Sequence, residues 1–296
     1  MKKWRKNPKN LAPKVSVVVA VYNKAREFEM CLEGFKRQTL WAAKRQPFEM
    51  IAADDGSGEE IEELFKKFAD STDLPATYLH QKDQGWGKLR MLNWATLESQ
   101  AEQIIFTDGD CVPHKHFLES HMEEFGENTV LCGRRVDLME AVSKELSLED
   151  VKNGTLESSL WILKAALKDK IDYGEQGLFL SKPFAKLFSA LSKNSEPSLL
   201  GSNFSIHKKW LSQVNGFDES FETPGYGEDT DLERRLRTAS LKFKWIKHRA
   251  IQYHIWHPLT EVGKQSIETF EERKKRGNKI ALKGLNELKE ILARTL

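Results

Sequence analysis

Ile104-Ile-Phe-Thr-Asp-Gly-Asp-Cys-Val-Pro113 is an apolar run that stops in two carboxylates, Asp108 and Asp110, one glycine apart. A hydrophobic stretch ending in turn chemistry predicts a buried strand whose end opens on a surface crevice. Two acids this close repel each other and lose hydration together, so the pair calls for positive charge. A hard divalent cation that also holds a phosphate is the usual answer. An ordinary Asp-Gly turn has the same pattern, so the rest of the chain must decide between them.

Upstream, Val15-Ser-Val-Val-Val-Ala-Val21 is β-branched and almost wholly apolar, as expected of a central parallel strand covered on both faces. Phe48–Ala53 predicts a second strand, ending in Asp54-Asp55-Gly56-Ser57, and Ala76–Leu79 a short third. Helical periodicity fills the gaps: about 26–38 with Phe28, Cys31, Leu32 and Phe35 on one face, about 59–70 with Ile61, Leu64, Phe65 and Phe68, and about 88–99. Strands alternating with helices imply a parallel α/β sheet with right-handed crossovers, in which ligands sit at the carboxyl ends of strands. Tyr22-Asn23, Asp54-Asp55 and Asp108-Gly-Asp110 all fall at such ends.

Downstream, Leu131–Val136 reads as one further strand and Leu199–Ile206 as another. Between them the rhythm breaks. Leu156, Leu160, Leu163 and Leu167, then Phe184, Leu187, Phe188 and Leu191, recur at helical spacing among Lys164, Lys168, Lys182, Lys186 and Lys193. A helical insertion packed on the core explains this. A basic amphipathic surface meeting a lipid-linked acceptor or an anionic membrane explains it too. Gly225-Tyr-Gly227 precedes a helix with an acidic first turn, Glu228-Asp-Thr-Asp231, whose Leu232 and Leu236 share a buried face. Two short strands, 243–246 and 250–253, lead to His254-Ile-Trp-His257. A basic helical tail runs from about residue 261, with Ile280, Leu285, Leu288 and Leu292 on one side.

The chain has 296 residues, 40% of them hydrophobic and 30% charged, with a net charge of only +2. That length suits one elaborated domain, and the charge gives no reason to expect nucleic acid as a partner. No stretch reaches the roughly 20 apolar residues that span a bilayer. Three cysteines without metal-type spacing fit reduced thiols and a cytoplasmic setting.

Asp108 and Asp110 suit Mn²⁺ or Mg²⁺, and His254 or His257 would complete such a site. Glu228 and Asp229 would at least cap their helix; a carboxylate there can also serve as a general base toward a hydroxyl. A metal pair and a separate base suit single-displacement group transfer.

On these residues the chain resembles the inverting family 2 glycosyltransferases of the GT-A fold, a Rossmann-like nucleotide-binding sheet flanked by helices. The resemblance rests on Val15–Asn23, Asp54-Asp55-Gly-Ser57, Gln84-Gly-Trp-Gly-Lys-Leu-Arg-Met-Leu-Asn93 and Phe106–Pro113. Gly201-Ser-Asn203, Asn215-Gly-Phe217 and Gly225–Asp231 are similar to the carboxyl portion of the β-1,4-galactosyltransferases and of bacterial chondroitin-type polymerases. Two departures are Tyr226 where the galactosyltransferases have Trp, and Leu92-Asn93 where other members have Arg-Asn. The resemblance implies a GT-A domain over 1–258, with a helical insertion at about 142–197 and a tail over 259–296. It implies that Ala20 and Tyr22 line a uridine pocket, with Asp54 or Asp55 on the uracil, Lys88 or Arg90 near the nucleotide, and Asn203 in the same set. Asp108 would contact ribose or sugar, Asp110 and His254 (or His257) the metal. Asp229 would be the base, with Glu228 orienting a sugar.

The activity implied is metal-dependent transfer of a hexose or N-acetylhexosamine, galactose-type favoured, from a UDP-sugar to a glycan or lipid-linked acceptor. Bacterial surface polysaccharide synthesis is the implied setting, in the cytoplasm with peripheral contact at the membrane's inner face. A nucleotidyltransferase and a non-catalytic nucleotide-sugar or membrane-surface binding protein are the competing readings.

Overall fold

The computed structural model describes residues 1–7, 9–42, 48–191, 196–258 and 263–295. Lys193, the side chain of Leu191 and the expected start of the tail at 259–262 lie outside them. In chain order the strands are β1 (Lys2–Lys6), β2 (Val15–Val21), β3 (Phe48–Asp54), β4 (Ala76–His80), β5 (Gln103–Asp108), β6 (Cys111–Pro113), β7 (Thr129–Cys132), β8 (Arg134–Leu138), β9 (Ile171–Asp172), β10 (Phe204–His207), β11 (Lys242–Trp245) and β12 (Ile251–His254). The main sheet has the order β1-β4-β3-β2-β5-β10-β7-β11, and a second has β6-β12-β8-β9.

Every residue of β2 is buried, because helices cover both faces of the sheet. Val15, Val17, Val19 and Val21 face the helices Ala25–Lys36 and Glu59–Ser71 through Phe28, Phe35, Phe65 and Phe68. Val18 and Ala20 face Leu89, Leu92 and Trp94 of the helix Lys88–Glu98 on the other side. Each such buried aromatic or aliphatic side chain contributes roughly 1.5–3 kcal/mol. β2 through β5 run parallel, as expected. β10 does not. It pairs antiparallel with β5 and β7, held by the Phe106–Phe204 stack at 4.8 Å.

Several expectations need correction. β1 was not foreseen: Lys2-Lys-Trp-Arg-Lys6 is an edge strand antiparallel to β4, and its charges are what keep an edge from pairing with another chain. Leu131–Val136 is two strands in two sheets, broken at Gly133. A Cβ there would lie 2.1 Å from Asn203 Oδ1, so only glycine lets the chain turn past that amide. Of Leu199–Ile206, only the last residues form a strand.

The insertion does pack on the core, through Leu156, Ile162, Ala165 and Ala185, with Val136 and Tyr253 beneath the first three. The expected leucine stripe is not the packing face: Leu160, Leu163 and Leu167 point to solvent, as do Phe184 and Leu187. The tail is two helices, Lys264–Arg276 and Leu285–Thr295, separated where Gly277 adopts a left-handed conformation. Leu285 and Leu288 join the core beside Leu89 and Trp94, whereas Ile280 is exposed.

Candidate active site

The parallel register places the chain's polar strand ends along one edge. Ala20 lies beside Asp108 and Ala53, and Val21 beside Asp54. Gly109 N donates to Ala20 O at 2.8 Å, which seats the Asp108–Asp110 turn against β2. Asp54 is wholly buried and holds the turn after β3: its Oδ1 accepts from Ser57 N at 2.9 Å and Ser57 Oγ at 2.6 Å, and its Oδ2 from Tyr78. Asp55 accepts from Gln81 Nε2 at 2.6 Å and Gly87 N at 2.7 Å, anchoring the loop that precedes the helix Lys88–Glu98. Tyr22 is exposed and donates to Asp83 at 3.0 Å. Lys88, the first residue of its helix, donates to Asp108 Oδ1 at 2.5 Å.

Asp110 is 8% exposed and meets two imidazoles brought in by the end of β12. β12 pairs with β6 so that His254 faces Cys111, and Ile255 N donates to Asp110 O at 2.9 Å. His257 Nε2 lies 3.3 Å from Asp110 Oδ2 and His254 Nε2 lies 3.8 Å from Oδ1. One ligand atom from each of the three residues falls within 4.8 Å of the others.

The chemistry of this donor set fits a cation. His254 Nδ1 faces the Asp137 carboxylate at 2.9 Å, and His257 Nδ1 faces the Pro258 carbonyl at 2.9 Å. Neither acceptor can donate, so each ring donates from Nδ1 and turns Nε2 inward, the nitrogen that would bind a cation once it gives up any proton it carries. Those two Nε2 atoms are 3.3 Å apart beside a carboxylate, three lone-pair donors converging on one point. Burial alone would raise the Asp110 carboxyl, but the His257 hydrogen bond and the charges of His254 and Lys24 outweigh it and hold the group well below the usual range.

Glu228 and Asp229 begin the helix Glu228–Thr238. Gly227 makes that start with φ of 91°, and a Cβ there would meet Phe221 and Phe270 at 2.9 Å. Asp229 is half-buried and accepts from Gly201 N at 2.8 Å. Its carboxyl is pushed up to about 6, first by burial and then by the Glu228 charge, while Lys88 pulls it down. Asp229 therefore shares Lys88 with Asp108 but lies outside the Asp110–His254–His257 cluster. Glu228 Oε1 accepts weakly from Gly225 N at 3.3 Å, and its buried Oε2 has no partner among the described residues.

Residues 16–213 match the family described as Glycosyl transferase family 2. The chain belongs to this family. Within the glycosyltransferase, residues 184–258 also match the family described as N-terminal domain of galactosyltransferase. The enzyme is 26% identical over 244 residues to a chondroitin synthase of Escherichia coli, an alignment spanning 81% of this chain and 34% of that one. It is 26% identical to the chondroitin synthase of Pasteurella multocida over 99% of this chain and 30% of that one. The chain thus spans about a third of the length of these relatives. Its fold is that of GT-A glycosyltransferases. A mannosyltransferase of Pyrobaculum calidifontis, solved with GDP-Man and Mn²⁺, superposes with a TM-score of 0.53 at 16% identity over 90% of this chain and 61% of that one. TarS 1-349 of S. aureus, solved with UDP-GlcNAc, gives 0.54 at 17% identity over 95% and 71%.

Two expected nucleotide contacts have partners within the protein in this glycosyltransferase. Arg90 pairs with the nearly buried Glu219 at 3.1 Å, across the base of the helix Lys88–Glu98. Asn203 is wholly buried. Its amide donates to Arg134 O at 2.8 Å and Ala250 O at 2.9 Å and accepts from His121, so it clips the β7–β8 hinge to the start of β12. Conversely, two residues at the site were not foreseen. Lys24, in a left-handed conformation with φ of 55°, donates to Asp110 Oδ2 at 2.9 Å. Asp137 is the partner of His254. Its one visible signal was an acid at the end of an Arg135-x-Asp137 alternation on a strand.

Proposed function

We propose that this enzyme moves a hexose or N-acetylhexosamine, galactose-type favoured, from a UDP-sugar to a glycan hydroxyl with inversion at the anomeric carbon. The observation that carries the reading is the separation of two carboxylate sites: Asp110 among imidazoles, and Asp229 beside Lys88 with its carboxyl near 6. A base should be unprotonated at working pH yet still avid for a proton, and that value meets both needs. Asp229 takes the proton of the acceptor hydroxyl as its oxygen bonds the anomeric carbon; the bond from that carbon to the phosphate oxygen breaks, and its electron pair leaves with UDP. Glu228, whose buried Oε2 has no partner among the described residues, accepts from a sugar hydroxyl. Ala20, Tyr22 and Asp55 line the uridine pocket, Asp108 contacts ribose or sugar, and Lys88 faces the diphosphate. Asp110, His254 and His257 would hold Mn²⁺ or Mg²⁺. When bound, the ion supplies positive charge to the diphosphate leaving group. The solved neighbours with UDP-GlcNAc and with Mn²⁺ support the donor class and the metal.

The chondroitin synthases among its relatives support a bacterial polysaccharide setting. Under this reading residues 1–258 form the transferase domain and 259–296 its tail. A screen of UDP release over common UDP-sugars, with and without Mn²⁺, followed by an acceptor panel on the best donor, tests the assignment. Metal-independent release, or no turnover on any donor and acceptor, would overturn it.

The same reading places the enzyme in the cytoplasm, against the inner face of the membrane. Exposed Leu160, Leu163, Leu167, Phe184 and Leu187 lie among exposed Lys164, Lys168 and Lys186, which suits an anionic bilayer surface. No helix among the described residues is long and apolar enough to cross a membrane. Co-sedimentation with vesicles containing phosphatidylglycerol, absent with pure phosphatidylcholine and lost in a Leu160→Ser, Leu163→Ser, Leu167→Ser variant, is the expected result.

A further inference from the structure

The two imidazoles that converge on Asp110 are held from behind in different ways. Among the described residues, His257 has the carbonyl of Pro258 at its Nδ1. His254 has a carboxylate, and the sheet itself puts it there. β8 and β12 run parallel with Asp137 directly beside His254, while the neighbouring pair Val136 and Tyr253 is buried on the opposite face. Strand alternation therefore presents Asp137 and His254 side by side on the crevice face. Asp137 Oδ1 lies 2.9 Å from His254 Nδ1, and Arg135, two residues earlier on the same face, donates its Nε to the same oxygen at 2.8 Å. Arg135 in turn reaches Ser202 Oγ at 3.4 Å, in the loop that leads to β10.

We infer that Asp137, braced by Arg135, is a positioning residue that locks His254 in the Nδ1–H tautomer and thereby sets the cation affinity of the Asp110–His254–His257 centre. The inference rests on the metal reading of that centre. A carboxylate behind an imidazole fixes the ring's rotation, holds the neutral ring's proton on Nδ1 and makes Nε2 a stronger donor to a cation. A carbonyl fixes the tautomer but adds no charge, so His254 is the better-held ligand of the two and Asp137 the residue on which it depends.

Two measurements on the full chain test this. In the metal-free protein at a pH high enough for the ring to be neutral, ring ¹⁵N resonances should show His254 protonated at Nδ1, and Asp137→Ala should move it toward the Nε2–H form. Titration with MnCl₂ alone, followed by electron paramagnetic resonance, should give an affinity about 10–100-fold weaker in Asp137→Ala. Asp137→Asn, nearly isosteric and still able to accept from Nδ1, should fall between it and the wild type; circular dichroism shows that both variants are folded. Equal Mn²⁺ affinity in wild type and a folded Asp137→Ala overturns the inference, and so does an unchanged His254 tautomer. A wild-type protein that does not bind Mn²⁺, or binds it equally well as Asp110→Ala, overturns the metal reading itself, before any Asp137 variant is compared.

Discussion

Asp229 is pulled in two directions, and the balance sets how the enzyme should respond to pH. Burial and the Glu228 charge raise its carboxyl to about 6, while Lys88 and the Gly201 N–H favour the ionised form. If it is the base, kcat/KM should fall about tenfold per pH unit below about 6, as protonation removes the acceptor of the hydroxyl proton. Asp229→Asn should lower kcat by roughly 10²–10⁴-fold while UDP and Mn²⁺ still bind by calorimetry; retained turnover would refute the role. The raised value also bears on stability. The folded protein holds this proton more tightly than the unfolded chain does, so the group favours folding at low pH and that contribution is lost as pH rises through about 6. At pH 7.5 Asp229→Asn should therefore raise stability, by about 1 kcal/mol once partial solvent screening is allowed for. A melting curve that shifts downward would contradict this. Asp110→Ala should abolish Mn²⁺ binding, because it removes the carboxylate on which both imidazoles converge.

The helix Glu228–Thr238 delivers Asp229 only because its first turn starts from Gly227. With φ of 91° and the Phe221 and Phe270 rings close behind, Gly227→Ala is expected to destabilise the fold by about 1–3 kcal/mol. It should also displace the base, lowering kcat more than Mn²⁺ affinity; a variant with wild-type kinetics would show that the helix start can relax. The elements that carry the strand-end acids were legible because their signals are local: unbroken β-branched runs for β2 and β3, an apolar run ending in Asp-Gly-Asp for β5. The β7–β8 break was not. Leu131–Val136 reads as continuous, and what divides it is the side chain of Asn203, some seventy residues later in the chain.

Across the whole molecule, the tail helices do more than trail behind the transferase fold. Phe270, Leu285 and Leu288 share the core cluster that includes Leu89 and Trp94, and Arg273 pairs with the buried Asp218 at 3.2 Å. Truncation after residue 263 removes that cover, about 5 kcal/mol of apolar burial. The truncated chain should melt at least about 10 °C lower or fail to stay soluble, although every proposed catalytic residue remains. An unchanged melting temperature would show that the tail is an independent appendage. The exposed leucines of the insertion make the complementary point. Their helical spacing was visible, but which face met the core was not, since Ile162 and Ala165 on the other side of the same helix are the residues that pack.

What the sequence determined by itself was the order of strands 15–108, the acids at their ends and the acidic start of the helix at 228. Those follow from side-chain periodicity and turn chemistry, which are properties of neighbours along the chain. Tertiary structure alone decided which of those polar groups meet. It set Asp110 against His254 and His257 through the β6–β12 pairing, put Asp137 behind His254 through the β8–β12 register, placed Asp229 where the Lys88 charge acts on it, paired Arg90 with Glu219 and buried Asn203. Each of these depends on a register or hinge between segments tens to more than a hundred residues apart, where a single-residue slip would send the side chain to the opposite face.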